Sequence, residues 1–310
     1  MRKISIVGAG RVGEATAHFL ANRELCRELA LIDIRAGAAA GCALDIQSSA
    51  QPLRFDTRLF GSDDPALLAD SDLVIVTAGV PRKPGMSRSD VLDINVAVLD
   101  KIVDDVLRYA PDSKLLLVSN PVDVLTYRAW RRTGWDRSRV IGQAGVLDSA
   151  RMAAFIAMET GFSVKDIQAM VLGGHGDQMV PLPRYTTISG IPVGHFIDQP
   201  RLDAIIQRTR DGGAEVLALR KNSTAYDAPA AAIALMVDAI AQNRRRIVPT
   251  VVILDGEYGL HDLAIGAPAV VGENGMESVV DLVLTEAEQS ALLASANAVR
   301  ADLSRLPMLG

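Results

Sequence analysis

Apolar residues in the first half of the chain fall into short, strand-like runs rich in aliphatic side chains. Residues 3–7, 29–33, 73–77 and 115–118 are such runs, the last two reading LVIVT and LLLV. A strand that is apolar on both faces belongs to a parallel sheet covered on both sides. Between the runs the spacing turns helical, over residues 12–22 and again over 91–109, with Pro111 as a stop signal just beyond. Strand and helix alternate, so the pattern predicts a doubly wound parallel α/β sheet.

After residue 144 the pattern changes. Helices are predicted over 146–160, 202–221, 229–242 and 285–306. Strands are predicted over 167–172, 248–254 and 263–271, the last two separated by the turn Asp255-Gly256-Glu257-Tyr258-Gly259. The run 167–172 leads into Gly173-Gly174-His175-Gly176-Asp177. This half reads as an α+β segment with hairpins. The boundary falls near Gly145 and divides the chain into residues 1–144 and 145–310. No repeat or low-complexity linker separates the halves, so they are expected to pack tightly.

Composition narrows the function classes. A chain of 310 residues suits two domains, and 49% apolar content suffices for a sizeable core. The formal net charge of −5 gives no electrostatic reason to bind nucleic acid or an acidic membrane. Cys26 and Cys42 cannot frame a disulfide scaffold and suit a reducing compartment. The apolar run at the N-terminus is too short for a signal-peptide core, and the longest apolar stretch, 228–237, is broken by Pro229. A soluble, cytoplasmic protein is expected, with no membrane or nucleic-acid partner. No His/Cys cluster has ligand spacing, so no metal is expected.

Gly8-Ala9-Gly10-Arg11-Val12-Gly13 is a full G-x-G-x-x-G that follows a predicted strand and opens a predicted helix. Gly8 permits the tight turn, Gly10 lets backbone approach a pyrophosphate, and Gly13 lets the helix pack close to the sheet. Asp33, twenty positions after Gly13, ends the next strand, where a carboxylate accepts ribose hydroxyls and repels a 2′-phosphate. NAD is therefore favoured over NADP, although Arg35 close behind leaves room for the latter. The plain alternative is a glycine-rich turn with a surface aspartate.

Of four histidines, His18 falls inside a helix and reads as structural, while His195 and His261 read as surface or loop positions. His175 stands among glycines at a strand end, and imidazole exchanges protons near neutral pH; position alone leaves it balanced against a structural histidine. Other segments add chemistry. Residues 78–88, AGVPRKPGMSR, form a loop carrying Arg82 and Arg88, placed where ligands of open α/β sheets bind. Asn95 lies on the next helix, and Ser119-Asn120-Pro121-Val122-Asp123 follows another strand. Asp148 and Arg151, three apart, share a helix face. A solvated basic loop, a turn-forming Asn120 and a local ion pair are the respective alternatives.

The set GAGRVG, Asp33, AGVPRKPGMSR, SNPVD, GVLDSAR and GGHGDQMVPL resembles the lactate/malate dehydrogenase superfamily, in order and over essentially the whole chain. Within it the sequence is most similar to the malate dehydrogenases of lactate-dehydrogenase-like type. The resemblance implies a Rossmann-type NAD-binding domain and reversible oxidation of (S)-malate to oxaloacetate. It implies that His175 exchanges the proton, that Asp148 orients it, and that Arg151 grips the substrate's C1 carboxylate. Arg88 matches the lid arginine that polarises the reacting carbonyl, and Asn120 matches a residue near both nicotinamide and substrate. Asn95, Val118 and Ser119 match further cofactor contacts, beside the Gly8–Gly13 loop and Asp33. Arg82 falls at the discriminating position, where lactate dehydrogenases usually carry Gln and malate dehydrogenases Arg. A small dicarboxylate substrate and a homotetramer or homodimer follow from the same likeness. The neighbouring reading is an L-lactate or other 2-hydroxyacid dehydrogenase; a more remote one is a non-catalytic NAD-binding module. A short-chain dehydrogenase is excluded, because none of Tyr109, Tyr127, Tyr185, Tyr226 and Tyr258 has a Lys four residues later.

Overall fold

The computed structural model describes residues 1–80 and 88–306, with the backbone alone for residues 88 and 89. The first half contributes β1 (Lys3–Val7), β2 (Glu28–Ile32), β3 (Arg58–Ser62), β4 (Leu73–Val76), β5 (Lys114–Leu117) and β6 (Val140–Gly142). These pair in the order β3-β2-β1-β4-β5-β6, and every pairing is parallel. Their helices are α1 (Arg11–Asn22), α2 (Ala38–Ser48), the short α3 (Ala50–Leu53), α4 (Arg88–Tyr109) and α5 (Val122–Thr133).

The aliphatic-rich runs resolve into two faces. Ile4, Ile6, Leu29, Leu31, Leu73, Ile75 and Leu116 enter one core with Ala17 and Leu20 of α1 and Ile46 of α2. Val7, Ala30, Ile32, Val74, Val76, Leu115 and Leu117 enter the other with Leu92, Val96 and Val103 of α4 and Leu125 of α5. Alternate residues of each strand point to opposite faces, so a strand covered by helices on both sides must be apolar throughout.

The second half extends the same sheet. It contains α6 (Gly145–Thr160), β7 (Ile167–Gln168), β8 (Val171–Gly173), β9 (Met179–Pro181), β10 (Thr187–Ile188) and β11 (Ile191–Pro192). There follow α7 (Gln199–Arg220), α8 (Asp227–Ala241), β12 (Arg246–Asp255), β13 (His261–Gly272), β14 (Gly275–Val279) and α9 (Glu286–Leu303). β12 pairs with β6 through Val251 and Gly142, β13 pairs with β12, and β8 pairs with β13 through Gly173 and Gly266, all antiparallel. Thr285 caps α9 with a reciprocal bond from Glu288, a capping box.

The structure corrects one predicted strand and adds elements that the sequence reading did not name, among them β3 and β6. The predicted strand over 167–172 is two strands in two sheets: Ile167 and Gln168 pair with β10, whereas β8 pairs with β9 and β13. The chain changes sheet at Met170, whose carbonyl accepts the Leu182 N–H at 2.8 Å. β3 escaped the sequence reading because this edge strand, RLFGS, is partly exposed. β6 escaped it because it has only three residues.

Gly266 decides how closely β13 approaches β8. A Cβ there would collide with the Gly173 carbonyl oxygen. Gly266→Ala is expected to lower stability by about 1–3 kcal/mol, read as a lower chemical-denaturation midpoint. It should also loosen the loop that begins at Gly173.

Candidate active site

Ligands of an open α/β sheet bind beyond the carboxyl ends of its strands, where strand order reverses. Here the reversal lies between β1 and β4, which are neighbours although β2 follows β1 in sequence. The Gly8–Gly13 turn leaves β1 at that point. Gly8 has φ +109°, and a Cβ on it would lie 2.6 Å from the Ala78 nitrogen. A Cβ on Gly13 would overlap the Gly8 carbonyl oxygen, so Gly8 is required by the close approach of the chain after β4 and Gly13 by the close approach of α1 to the turn. Gly10 differs: a Cβ there would meet nothing within 4 Å, and no side chain caps the helix that begins at Arg11. This open helix N-terminus is a cradle that fits a pyrophosphate. Arg11 lies over the Tyr226 ring at 5.4 Å, and Val12 packs against the core.

Asp33 stands just past β2. Its Oδ2 accepts the Ala9 N–H at 2.8 Å, which ties it to the glycine turn. Arg35 grips the same carboxylate through Nε at 2.9 Å and Nη2 at 3.0 Å, and holds the Asp33 carboxyl below the usual range. The Asp33 side chain is 10% exposed and that of Arg35 63% exposed. The guanidinium is thus the more exposed partner of the pair.

Two further strand-end loops close this side. Asn95 is buried and bonds both of them. Its Oδ1 accepts the Val80 N–H and its Nδ2 donates to the Asn120 carbonyl, each at 2.7 Å. Ser119 donates to the Ala78 carbonyl at 2.5 Å, and Val118 continues β5 by bonding to Val76. Asn95 therefore shapes the cofactor side by joining its loops. Asn120 is exposed and precedes the cis peptide to Pro121.

The reactive cluster lies at the end of β8. His175 Nδ1 meets Asp148 Oδ2 at 2.9 Å, and Arg151 Nη1 meets Asp148 Oδ1 at 3.4 Å. Asp148 is 2% exposed, His175 21% and Arg151 15%, so the carboxylate is interior while the ring and the guanidinium reach the cleft. Burial alone would lower the His175 pKa, but the charge and hydrogen bond of Asp148, with Asp123 behind, outweigh it and raise the pKa above its ordinary value. Burial pushes the Arg151 pKa down against the pull of Asp148, which suits a cation awaiting an anion. The Arg151 stem fits under α7 because position 212 is glycine, where a Cβ would lie 3.2 Å from Arg151 Cδ.

The structure thus brings His175, Asp148 and Arg151 together, and gathers the glycine turn, Asp33, Asn95, Val118, Ser119 and Asn120 at the sheet's carboxyl edge. Arg82 and the Arg88 side chain lie outside the described residues; Arg88 begins α4. His18, His195 and His261 are exposed. Asp123, inside the SNPVD segment, bonds the His175 backbone at 2.9 Å; no role was read for it, because sequence spacing does not reveal a partner in the other half. Among the described residues no helix is long and apolar enough to cross a membrane, and no group of His, Cys, Asp and Glu could hold a metal ion.

A dinucleotide cradle beside a carboxylate-bound histidine defines a nucleotide-dependent oxidoreductase type of site. Residues 2–142 match the lactate/malate dehydrogenase NAD binding domain, and residues 145–306 match the lactate/malate dehydrogenase alpha/beta C-terminal domain. A malate dehydrogenase of Thioalkalivibrio sulfidiphilus is 63% identical over 306 residues, covering 99% of this chain and 100% of that one. The solved malate dehydrogenase of Salinibacter ruber superposes with TM-score 0.94 at 41% identity, covering 97% of this chain and 96% of that one. A lactate dehydrogenase of Cryptosporidium parvum, solved with lactic acid and nicotinamide adenine dinucleotide, superposes with TM-score 0.94 at 35% identity, covering 99% of each chain. The chain belongs to the lactate/malate dehydrogenase family.

Replacing Asp148 tests the electrostatics directly. Asp148→Asn removes the charge that favours imidazolium, so the His175 titration should move to lower pH. Ring-carbon NMR across pH 5–9 reads this, and an unmoved midpoint would contradict the stated cause.

Proposed function

We propose that the chain is an NAD-dependent malate dehydrogenase, which interconverts (S)-malate and oxaloacetate. The carrying observation is the His175–Asp148–Arg151 cluster set beside a dinucleotide cradle. The relatives named malate dehydrogenase support the choice of substrate. In this reading residues 1–144 form the NAD-binding domain and residues 145–310 the substrate domain. Assembly as a homotetramer or homodimer and a cytoplasmic location belong to the same reading.

The cofactor would be held by Gly8, Ala9, Gly10, Arg11, Val12 and Gly13 at its phosphates and by Asp33 at its ribose. Asn95, Val118, Ser119 and Asn120 would form its nicotinamide side. When bound, it supplies the hydride acceptor for malate oxidation and the donor for the reverse. The chain's own residues do the rest. His175 Nδ1 is committed to Asp148, which leaves Nε2 for the substrate. In malate oxidation neutral His175 takes the C2 hydroxyl proton; in oxaloacetate reduction it starts charged and returns a proton to the carbonyl oxygen. Asp148 fixes the ring's tautomer and stabilises the imidazolium, as a triad carboxylate does. Arg151 offers a planar fork to the C1 carboxylate. Arg88 would act on charge developing at the carbonyl oxygen, which is transition-state stabilisation.

Specificity rests on Arg82. Oxaloacetate carries a second carboxylate, whereas pyruvate would leave a desolvated guanidinium unpaired, a strong ground for rejection. Initial rates of NADH oxidation with oxaloacetate and pyruvate side by side test this reading, and a preference for pyruvate would overturn its substrate. In Arg82→Gln the oxaloacetate-to-pyruvate ratio of kcat/KM should fall by about 100-fold or more. An unchanged ratio would remove Arg82 from the specificity argument.

Cofactor choice rests on Asp33. In Asp33→Ala a 2′-phosphate no longer meets a carboxylate, and Arg35 is released to pair with it. The preference for NADH over NADPH, measured as dissociation constants by fluorescence, should narrow by about tenfold.

A further inference from the structure

The reaction just described leaves one buried charge beside the proton site unused. Asp123 occupies the first turn of α5 in the first half of the chain, and its side chain reaches the His175 loop of the second half. Oδ2 accepts the His175 backbone N–H at 2.9 Å, whereas Oδ1 is buried without a hydrogen-bond partner. A bare buried carboxylate oxygen is unfavourable. Tethering alone does not call for it. The neighbouring Gly174 N–H is held at 2.8 Å by the neutral hydroxyl of Ser295, on α9. The loop therefore has one tether without charge and one with it, and the charged tether is the one at the histidine.

We propose that Asp123 is a positioning residue of the proton-transfer site, a second carboxylate that anchors the His175 backbone and favours the imidazolium alongside Asp148, the ring's own partner. The proposal rests on His175 as the proton carrier. The charged groups in play are few. His175 attracts Asp123, Asp148 on α6 repels it, and Arg151 on α6 acts on His175 in the opposite sense. Burial pushes the Asp123 carboxyl up to about 6, against the pull of the His175 N–H and imidazolium. Asp123 is thus charged on the alkaline side of that value and supports imidazolium where oxaloacetate reduction needs it. A carboxylate so placed trades its own ease of ionisation for a wider pH range of charged His175.

Asp123→Asn keeps an oxygen for the His175 N–H and removes the charge. The alkaline limb of oxaloacetate reduction and the acid limb of malate oxidation should then both move to lower pH, because one group governs both. Reduction on the alkaline side should fall about tenfold, while KM for oxaloacetate changes little. Limbs that superpose on those of the unmodified protein would overturn the proposal. Ser295→Ala loosens the neutral tether of the same loop and should leave the limbs in place. Limbs that move as far as in Asp123→Asn would assign the effect to loop position and also overturn it. His175→Gln separates the two levels: full turnover in that variant would sink the proton-carrier reading itself, whatever Asp123 does. If Asp123→Asn does not accumulate as NADH-binding protein, the unmodified chain answers instead. Its His175 ring-carbon resonance, assigned by its loss in His175→Gln, should show a second inflection near pH 6 as Asp123 takes a proton; a single inflection overturns the proposal.

Discussion

An aspartate that is 2% exposed is an unfavourable place for a charge, and the second half of the chain is arranged around that fact. Removing a carboxylate from water costs several kcal/mol unless partners replace the lost hydration. Asp148 has two: the His175 ring at 2.9 Å and the Arg151 guanidinium at 3.4 Å. Neither partner can leave without exposing the carboxylate to an apolar interior, so the ring is held in one orientation with Nε2 outward. The site's geometry is a by-product of satisfying this charge. Arg151 is held twice, by the ion pair and by the space that Gly212 leaves for its stem.

The continuous sheet makes this cluster useful. β6 leads directly into α6, which carries Asp148 and Arg151, and β12 and β13 continue the sheet to β8, which carries the His175 loop. The loop after β8 thereby meets the segment after β5, where the His175 N–H bonds the Asp123 carboxylate. Small residues set the spacing: Gly142 stands where β6 of the first half meets β12 of the second, Gly173 and Gly266 where β8 meets β13, and each has a neighbour within 3.0 Å of a would-be Cβ. Side chains larger than hydrogen there would push neighbouring strands apart and shift the loop that carries His175.

The fold was legible where a strand of four or more residues is buried on both faces, because such a strand shows as a run rich in aliphatic side chains. β1, β2, β4 and β5 were read for that reason. Edge strand β3 exposes part of its length, and the apolar run around Ala169 and Met170 hides a change of sheet, since hydrophobicity reports burial and not the identity of the partner strand. In the site, the glycine turn was legible because a close backbone approach restricts residue type at fixed spacing, and Asp33 because it ends the strand after that turn. His175, Asp148 and Arg151 were individually ambiguous and became a set through family resemblance. Asp123 carried no spacing signal at all. Its partner is 52 positions away, in the other half of the chain, and only tertiary contact reveals it.

That contact also explains why the two halves act as one site. Asn120 and Asp123 lie in the same short segment after β5. The Asn120 carbonyl is bonded by Asn95, which holds the loop after β4, and the Asp123 carboxylate is bonded by the His175 backbone. The cofactor side and the proton side are thus fastened to opposite ends of one rigid turn leading into α5. A displacement of either loop must bend that turn or break a hydrogen bond at a buried group, and both are unfavourable. Hydride and proton leave the same C2–OH unit of malate, so the residues serving them must keep a fixed separation. A shared anchor achieves this more directly than two independently folded halves meeting across a mobile interface.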